Sequence, residues 1–304
     1  MYTESRVVFP MTGNVTAIQR FSLHDGTGIR STVFLHGCNM RCKWCHNPET
    51  LTDQNTPLFY AGKCIGCGAC YEACPTGARK LNFQSPPCVG CGKCAAECYP
   101  EAIKMAFRRV SAEDVMREIR QDALYYRYSG GGVTFSGGEA LCQLAFVDEL
   151  TDLCLAEGLE TAVETNLLHP FDKIAPTLKK MALIMADIKI IDDGQHLKWT
   201  GVSNRLILEN ARRLGELGMP VVFRTPLIPG ATDSEENLKA IAAFVTAIPN
   251  VRAYELLNFN PLGADKYTAL RKENEFAAVR PFGKNRLSEI EEMLKGHGVD
   301  IRIS

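Results

Sequence analysis

GCNMRCKWCHNPE, residues 37–49, sets Cys38, Cys42 and Cys45 within eight positions, with three and then two residues between them. A structural metal site normally draws all its ligands from the protein, whereas a catalytic one keeps a coordination position open. Three thiols without a fourth therefore point to a reactive centre. TVFLH, residues 32–36, reads as a strand leading into the loop, so the thiols lie at a strand's C-terminal end.

Eleven of the thirteen cysteines fall between Cys38 and Cys98. A disulfide framework suits a small secreted domain without a core, and a 304-residue chain with 46% hydrophobic residues is not one. Downstream of the loop, KCIGCGACYEACP (63–75) and PCVGCGKCAAECYP (87–100) each space four cysteines as C-x2-C-x2-C-x3-C. This is the run of bacterial two-cluster ferredoxins, where the fourth cysteine of each half ligates the other half's cluster. The expected sets are Cys64, Cys67, Cys70 with Cys98, and Cys88, Cys91, Cys94 with Cys74. A pair of zinc knuckles is the alternative, which eight cysteines without a histidine disfavour. The second half departs from the pattern by inserting Tyr99 before Pro100. Cys142 and Cys154, alone in a helical stretch (141–157), read as small buried apolar groups.

A formal net charge of −1 gives no general reason to expect nucleic acid or an anionic membrane as partner. Segment 58–108 carries six Lys or Arg against three Glu, a surplus that offsets negative thiolate clusters. No targeting signal and no apolar run of membrane-spanning length is legible, so the expectation is a soluble, cytoplasmic protein.

Outside this segment, strand-like runs alternate with amphipathic helices, the pattern of a parallel α/β fold. Strands are expected at 32–36, 133–136, 160–165, 183–189, 221–227 and 253–259. Ser111 with Asp114 forms a capping box, Gly158 and Gly218 stop helices, and acids from Asp233 onward load a helix N-terminus. Six βα units are too few for a closed eight-stranded barrel, so a curved, partly open one is expected. The predicted organisation is a TIM-like partial (βα)6 barrel from 1–57 and 109–304, with a ferredoxin-like domain inserted at 58–108.

Barrel folds carry their chemistry at the C-terminal strand ends. Those ends supply the Cys38 loop, Gly137-Gly138-Glu139, Glu164-Thr165-Asn166, Asp187 and Lys189, Arg224, and Asn258 with Asn260. Charged residues inside runs such as LIMADIKI exceed what a purely structural sheet needs, although a strand with one solvated face would also carry them.

The C-x3-C-x2-C loop, with Trp44 before its last cysteine, resembles the signature of radical S-adenosylmethionine (SAM) enzymes. DGTGIRS (25–31), CHNPE (45–49), SGGE (136–139), ETN (164–166), MADIK (185–189), FRTPLIPG (223–230) and LGADKY (262–267) are similar to the subgroup that activates glycyl radical enzymes. The resemblance covers essentially the whole chain and includes the two-cluster insert of many activases. It implies a [4Fe–4S] cluster on Cys38, Cys42 and Cys45 whose fourth iron is chelated by SAM, and three clusters in all. Gly137, Gly138 and Glu139 would meet the methionine amino group, Lys189 its carboxylate, and Trp44 the adenine. Arg224 would help seat the cofactor. Glu164, Thr165, Met185 and Asp187 match a monovalent-cation site. Asn260 stands where several activases carry a nucleoside-contacting histidine, and Thr27 where a proline is usual.

The implied reaction is reductive cleavage of SAM to methionine and a 5′-deoxyadenosyl radical, which takes a hydrogen atom from a glycine of a partner enzyme. It needs no acid or base, so no histidine, His46 included, is assigned a role. The implied partners are a glycyl radical enzyme and a reduced flavodoxin or ferredoxin, with the chain itself a monomer. Asp25 and Arg30 are candidates for partner docking, with a structural turn as the alternative. Two other functions stay open on the residues alone: a radical SAM enzyme for small molecules or peptides, and an electron carrier.

Overall fold

The computed structural model describes residues 11–52, 54–81 and 87–304; the remainder of the 1–57 and 58–108 segments lies outside the described residues. The described strands are β1 (Thr12–Ser22), β2 (Arg30–Leu35), β3 (Pro57–Phe59), β4 (Ile103–Met105), β5 (Arg108–Ser111), β6 (Gly132–Gly137), β7 (Glu160–Thr165), β8 (Leu183–Asp187), β9 (Val221–Leu227), β10 (Val251–Asn258) and β11 (Ile301–Ile303). Nine of them form one sheet in the order β11-β10-β9-β8-β7-β6-β2-β1-β5. The six expected strands are β2 and β6 to β10, all parallel, with ends displaced by no more than two residues. Edge strands β5 and β11 are not paired with each other, so the sheet stays open.

The edges are what the sequence did not reveal. β1 pairs antiparallel with β2 and β5, and β11 adds a short parallel strand beyond β10. β1 reads TGNVTAIQRFS and buries few of its side chains, as an edge hairpin exposed on one face does.

Alternation along the parallel strands accounts for their charged residues. Val33, Leu35, Val133, Phe135, Val163, Ile184, Ala186, Val221, Phe223, Tyr254 and Leu256 pack in the main core with the outer helices. The intervening positions, Thr32, Thr134, Ser136, Glu164, Asp187, Arg224 and Glu255, share the opposite, concave face. LIMADIK is thus a strand whose polar face lines an interior, rather than one turned to bulk water.

The helix signals are realised. Ser111 accepts from the Asp114 amide while Asp114 accepts from the Ser111 amide, and Ser234 caps Glu235–Thr246. Gly158 and Gly218 adopt φ of +70° and +72° at the ends of their helices. Cys154 is buried in helix Leu144–Ala156, as expected. Cys142 is not: the 3-10 turn Ala140–Gln143 precedes that helix and turns its thiol outward, so the buried-apolar reading fails there.

β3 and β4 form a separate antiparallel pair, Pro57 opposite Met105 and Phe59 opposite Ile103. Between them, short helices Ala69–Glu72 and Lys93–Ala96 are each entered through a left-handed glycine, Gly68 at φ 80° and Gly92 at φ 75°. The tandem cysteine repeat therefore folds twice in the same way. Leu58 and Ala106 pack on Ala269 of helix Ala264–Leu270, joining this segment to the barrel.

Candidate active site

The C-terminal strand ends surround a cavity of about 780 Å³. Cys38, Cys42 and Cys45 line it together with Trp44, Gly137, Gly138, Glu139, Glu164, Thr165, Asp187, Lys189, Arg224 and Asn260. Of the residues expected here only Met185 turns its side chain elsewhere, into an apolar layer with Ala162, Val222 and Ala253. In register, that layer lies one step below Asp187, Arg224 and Glu255.

Burial pushes the Cys42 thiol up to about 12 and Cys45 up to about 11, and raises Cys38 as well. Three thiols that resist ionisation in a dry wall are poor isolated nucleophiles, but they suit metal, which displaces their protons. The Met40 amide donates to Cys38 Sγ at 3.4 Å, and Asn166 Nδ2 lies 4.0 Å from the same sulfur. Polar hydrogens aimed at sulfur stabilise the negative charge of a metal-bound thiolate. Among the described residues, no group of three or more His, Cys, Asp or Glu is arranged to hold a single ion.

At the end of β6 the backbone turns tightly past β2. Gly137 has φ +121°, and a Cβ there would meet the Leu35 carbonyl at 2.2 Å; one on Gly138 would meet the Gly37 carbonyl at 2.3 Å. Only glycine fits, and the backbone is left open to an incoming group. Glu139 beneath it is 2% exposed and accepts from the Asn166 amide at 2.6 Å, Thr165 Oγ1 at 2.8 Å and the Leu141 amide at 3.1 Å. It ties the ends of β6 and β7 together and brings negative charge to the cavity wall.

Three more charged groups of the wall, Lys189, Arg224 and Glu164, are ion-paired. Lys189 binds Asp187; burial works against its charge, but Asp187 and the neighbouring Cys42 hold the ammonium above its ordinary range. Arg224 bridges Glu164 and Glu255, the latter at 2.8 Å, and donates to the His24 carbonyl at 3.0 Å. Burial lifts the Glu164 carboxyl above its usual range although Arg224 opposes the shift, and Ser136 donates to the same group. Trp44 is buried against Trp199 and Phe276, ring centroids 6.4 and 6.2 Å away. Asn260 is exposed, and its side-chain oxygen accepts from the Leu262 amide at 3.2 Å.

Arg30 is corrected by the structure. It is fully buried and donates to Thr134 Oγ1 at 2.8 Å, Glu160 at 2.9 Å, and the Val133 and Thr27 carbonyls at 3.0 and 3.1 Å. It therefore pins the 25–31 turn to the sheet and offers nothing to a partner. Asp25 does line the cavity, accepting from Ser22 and Thr32. The site also recruits His24, Asn47 and Ser304, and Ser136 of the SGGE strand end, none of which the sequence assigns a role. Asn47 was within reach, since CHNPE was recognised as a unit without a task for its last three residues.

The eight remaining clustered cysteines divide between two much smaller cavities. Cys64, Cys67, Cys70 and Cys98 line one of about 20 Å³, and Cys88, Cys91, Cys94 and Cys74 line one of about 10 Å³.

Residues 32–241 match the model of the Radical SAM superfamily. The chain is 40% identical over 270 residues to the (2S)-3-sulfopropanediol dehydratase activating enzyme of Klebsiella oxytoca, covering 85% of each protein. It is 37% identical to the trans-4-hydroxy-L-proline dehydratase activating enzyme of Clostridioides difficile, over 95% of this chain and 98% of that one. The chain belongs to the glycyl radical enzyme activating enzymes of the radical SAM superfamily. A further relative is the benzylsuccinate synthase activating enzyme of Thauera aromatica, 34% identical over 95% of this chain and 92% of that one. In fold alone, the activase resembles a radical SAM methyltransferase from Sphaerobacter thermophilus, with a TM-score of 0.53 at 14% identity over 95% of this chain and 76% of that one. Its cofactors accordingly include SAM and a [4Fe–4S] cluster, and it acts on a glycyl radical enzyme. No helix among the described residues is long and apolar enough to cross a membrane.

Proposed function

We propose that this activase carries three [4Fe–4S] clusters with different tasks. Cys38, Cys42 and Cys45 hold the one that meets SAM. The other two sit in an inserted ferredoxin-like domain at 58–108, within a barrel formed by 1–57 and 109–304. The observation that carries this reading is the partition of the cysteines: three face a large cavity, and eight divide four and four in the crossed pairing of a two-cluster ferredoxin.

When bound, the cluster and SAM supply reductive C–S cleavage, and the 5′-deoxyadenosyl radical so formed takes a hydrogen atom from the partner's glycine. The chain's own residues bind and orient. Gly137 and Gly138 offer backbone to the methionine ammonium, and Glu139 fixes that turn and complements its charge. Lys189 faces the methionine carboxylate, with Asp187 holding the ammonium in place until it arrives. Trp44 provides an apolar wall for the adenine, and Asn260 a polar rim. Arg224, held between Glu164 and Glu255, keeps the concave wall polar without leaving an unpaired charge. Glu164 and Asp187 are already paired with Arg224 and Lys189, so the proposal needs no monovalent cation to neutralise them. Reduced flavodoxin or ferredoxin supplies the electron, and the activase works as a cytoplasmic monomer.

Two assays test this. The anaerobic protein should contain about twelve irons per chain if all three sites fill. Mixed with SAM, a strong reductant and the glycyl radical enzyme encoded beside it, it should yield 5′-deoxyadenosine and a glycyl doublet in the EPR spectrum. An iron content near four would remove the two closed clusters from the account. SAM consumption without a protein radical would exclude that partner.

A further inference from the structure

Two motifs, CHNPE and LGADKY, lie far apart in sequence and meet beside the Gly137-Gly138 turn. Lys266, on helix Ala264–Leu270, donates to Glu49 Oε1 at 2.6 Å and to Asn47 Oδ1 at 2.7 Å. Asn47 in turn donates through Nδ2 to the Gly137 carbonyl at 3.0 Å. Glu49 is 4% exposed and its other oxygen has no hydrogen-bond partner, so Lys266 is the cation that makes its burial tolerable. The approach leaves no slack. A Cβ on Gly263 would lie 3.2 Å from the His46 Cα, and one on Gly138 would lie 2.7 Å from Thr50 Oγ1.

From this geometry we infer that Lys266 is a positioning residue for SAM, acting through Asn47 on the Gly137-Gly138 turn; the inference rests on the reading of that turn as the methionine-ammonium site. An asparagine amide can face either way, whereas an ammonium only donates. Lys266 therefore orients the Asn47 oxygen toward itself and the amide nitrogen toward Gly137. Glu49 supplies the fixed charge that holds the ammonium at that point. The helix that carries Lys266 also receives Leu58 and Ala106 of the cysteine-rich segment on Ala269, so one short helix braces both the loop of the open cluster and the insert.

The test is SAM affinity of the anaerobic holoprotein, measured by equilibrium dialysis beside iron content and the EPR spectrum without SAM. Lys266→Met should raise the SAM dissociation constant about tenfold, the scale of one lost charged hydrogen bond, with iron content and the SAM-free spectrum unchanged. Lys266→Arg should recover most of the affinity. Asn47→Ala should weaken SAM binding to a similar extent, and the double variant should be no weaker than the single ones, because both act on one contact. Wild-type affinity in Lys266→Met, or additive losses in the double variant, would overturn the inference. Should Lys266→Met lose iron or fail to fold, Asn47→Ala decides: unchanged SAM affinity there overturns it equally. Glu139→Gln separates the two levels. If it weakens SAM binding while Lys266→Met does not, only the role of Lys266 falls; if it too leaves affinity unchanged, the reading of the turn falls.

Discussion

The chain builds two kinds of cysteine site within sixty residues. The Cys38 loop supplies three thiols at the mouth of a cavity of about 780 Å³ with paired charges on its walls. The cysteine-rich segment supplies four thiols to each of two pockets of about 10 and 20 Å³, with no space for a second molecule. The difference is one ligand and the surroundings it implies. A complete ligand set needs only wrapping backbone, which Gly68 and Gly92 provide. An incomplete one needs a binding site for whatever completes it, and six strand ends are spent on that.

The largest effect should come from removing a ligand on the open side. Cys42→Ala should abolish 5′-deoxyadenosine formation and, if the three proposed clusters share the iron equally, remove about a third of it. Cys91→Ser, on the closed side, should also lower iron content yet keep substantial SAM cleavage when a chemical reductant replaces the native donor. Equal loss of cleavage in both variants would break the distinction. Next comes the charge proposed to receive SAM: Lys189→Met should raise the SAM dissociation constant roughly thirtyfold or more, because truncating one partner of a buried charge pair costs about 2–5 kcal/mol. Iron content should hold, and a proportional loss of iron would make Lys189 a structural residue instead.

A smaller contrast should appear with pH. Burial raises all three open-site thiols, Cys42 to about 12 and Cys45 to about 11, whereas the closed sites are mixed: burial lifts Cys94 to about 11, but the Arg79 backbone amide, with help from Thr76, pulls Cys74 below its ordinary value. Ligation requires thiolate, so loading of the open site in apo-protein should gain more from raising the pH from about 7 to about 9 than loading of the closed ones. The same shifts make metal-free protein lose stability as pH rises past the ordinary thiol value, since unfolded thiols then ionise and buried ones do not. A melting temperature constant over that range would contradict the burial argument. The smallest effect is a null one: exchanging sodium or potassium for a bulky organic cation should leave SAM affinity within about twofold, because Arg224 and Lys189 already neutralise Glu164 and Asp187.

Much of this was legible in the sequence, and the reason is periodicity. The parallel strands announce themselves because both faces are specified, one apolar and one carrying a catalytic wall; β9 was read to the residue, 221–227. The antiparallel strands β1 and β5 carry mixed, half-exposed sequences with no such signature. Cysteine spacing foretold the four-and-four division between the two small cavities because such spacing acts locally. Side-chain direction was less accessible: nothing in DGTGIRS distinguishes an arginine offered to a partner from Arg30 buried under the turn, nor does the helical stretch at 141–157 foretell that Cys142 faces out. The role of Lys266 stayed hidden because its contacts are more than two hundred residues away in sequence.

The contrast between open and closed cysteine sites is tested most directly by a Mössbauer spectrum of ⁵⁷Fe-loaded holoprotein recorded with and without SAM. SAM should alter the signal of about one iron in twelve, the one without a cysteine ligand, and leave the rest unchanged. No change on adding SAM, or a change spread over irons of the four-cysteine sites, would contradict the account.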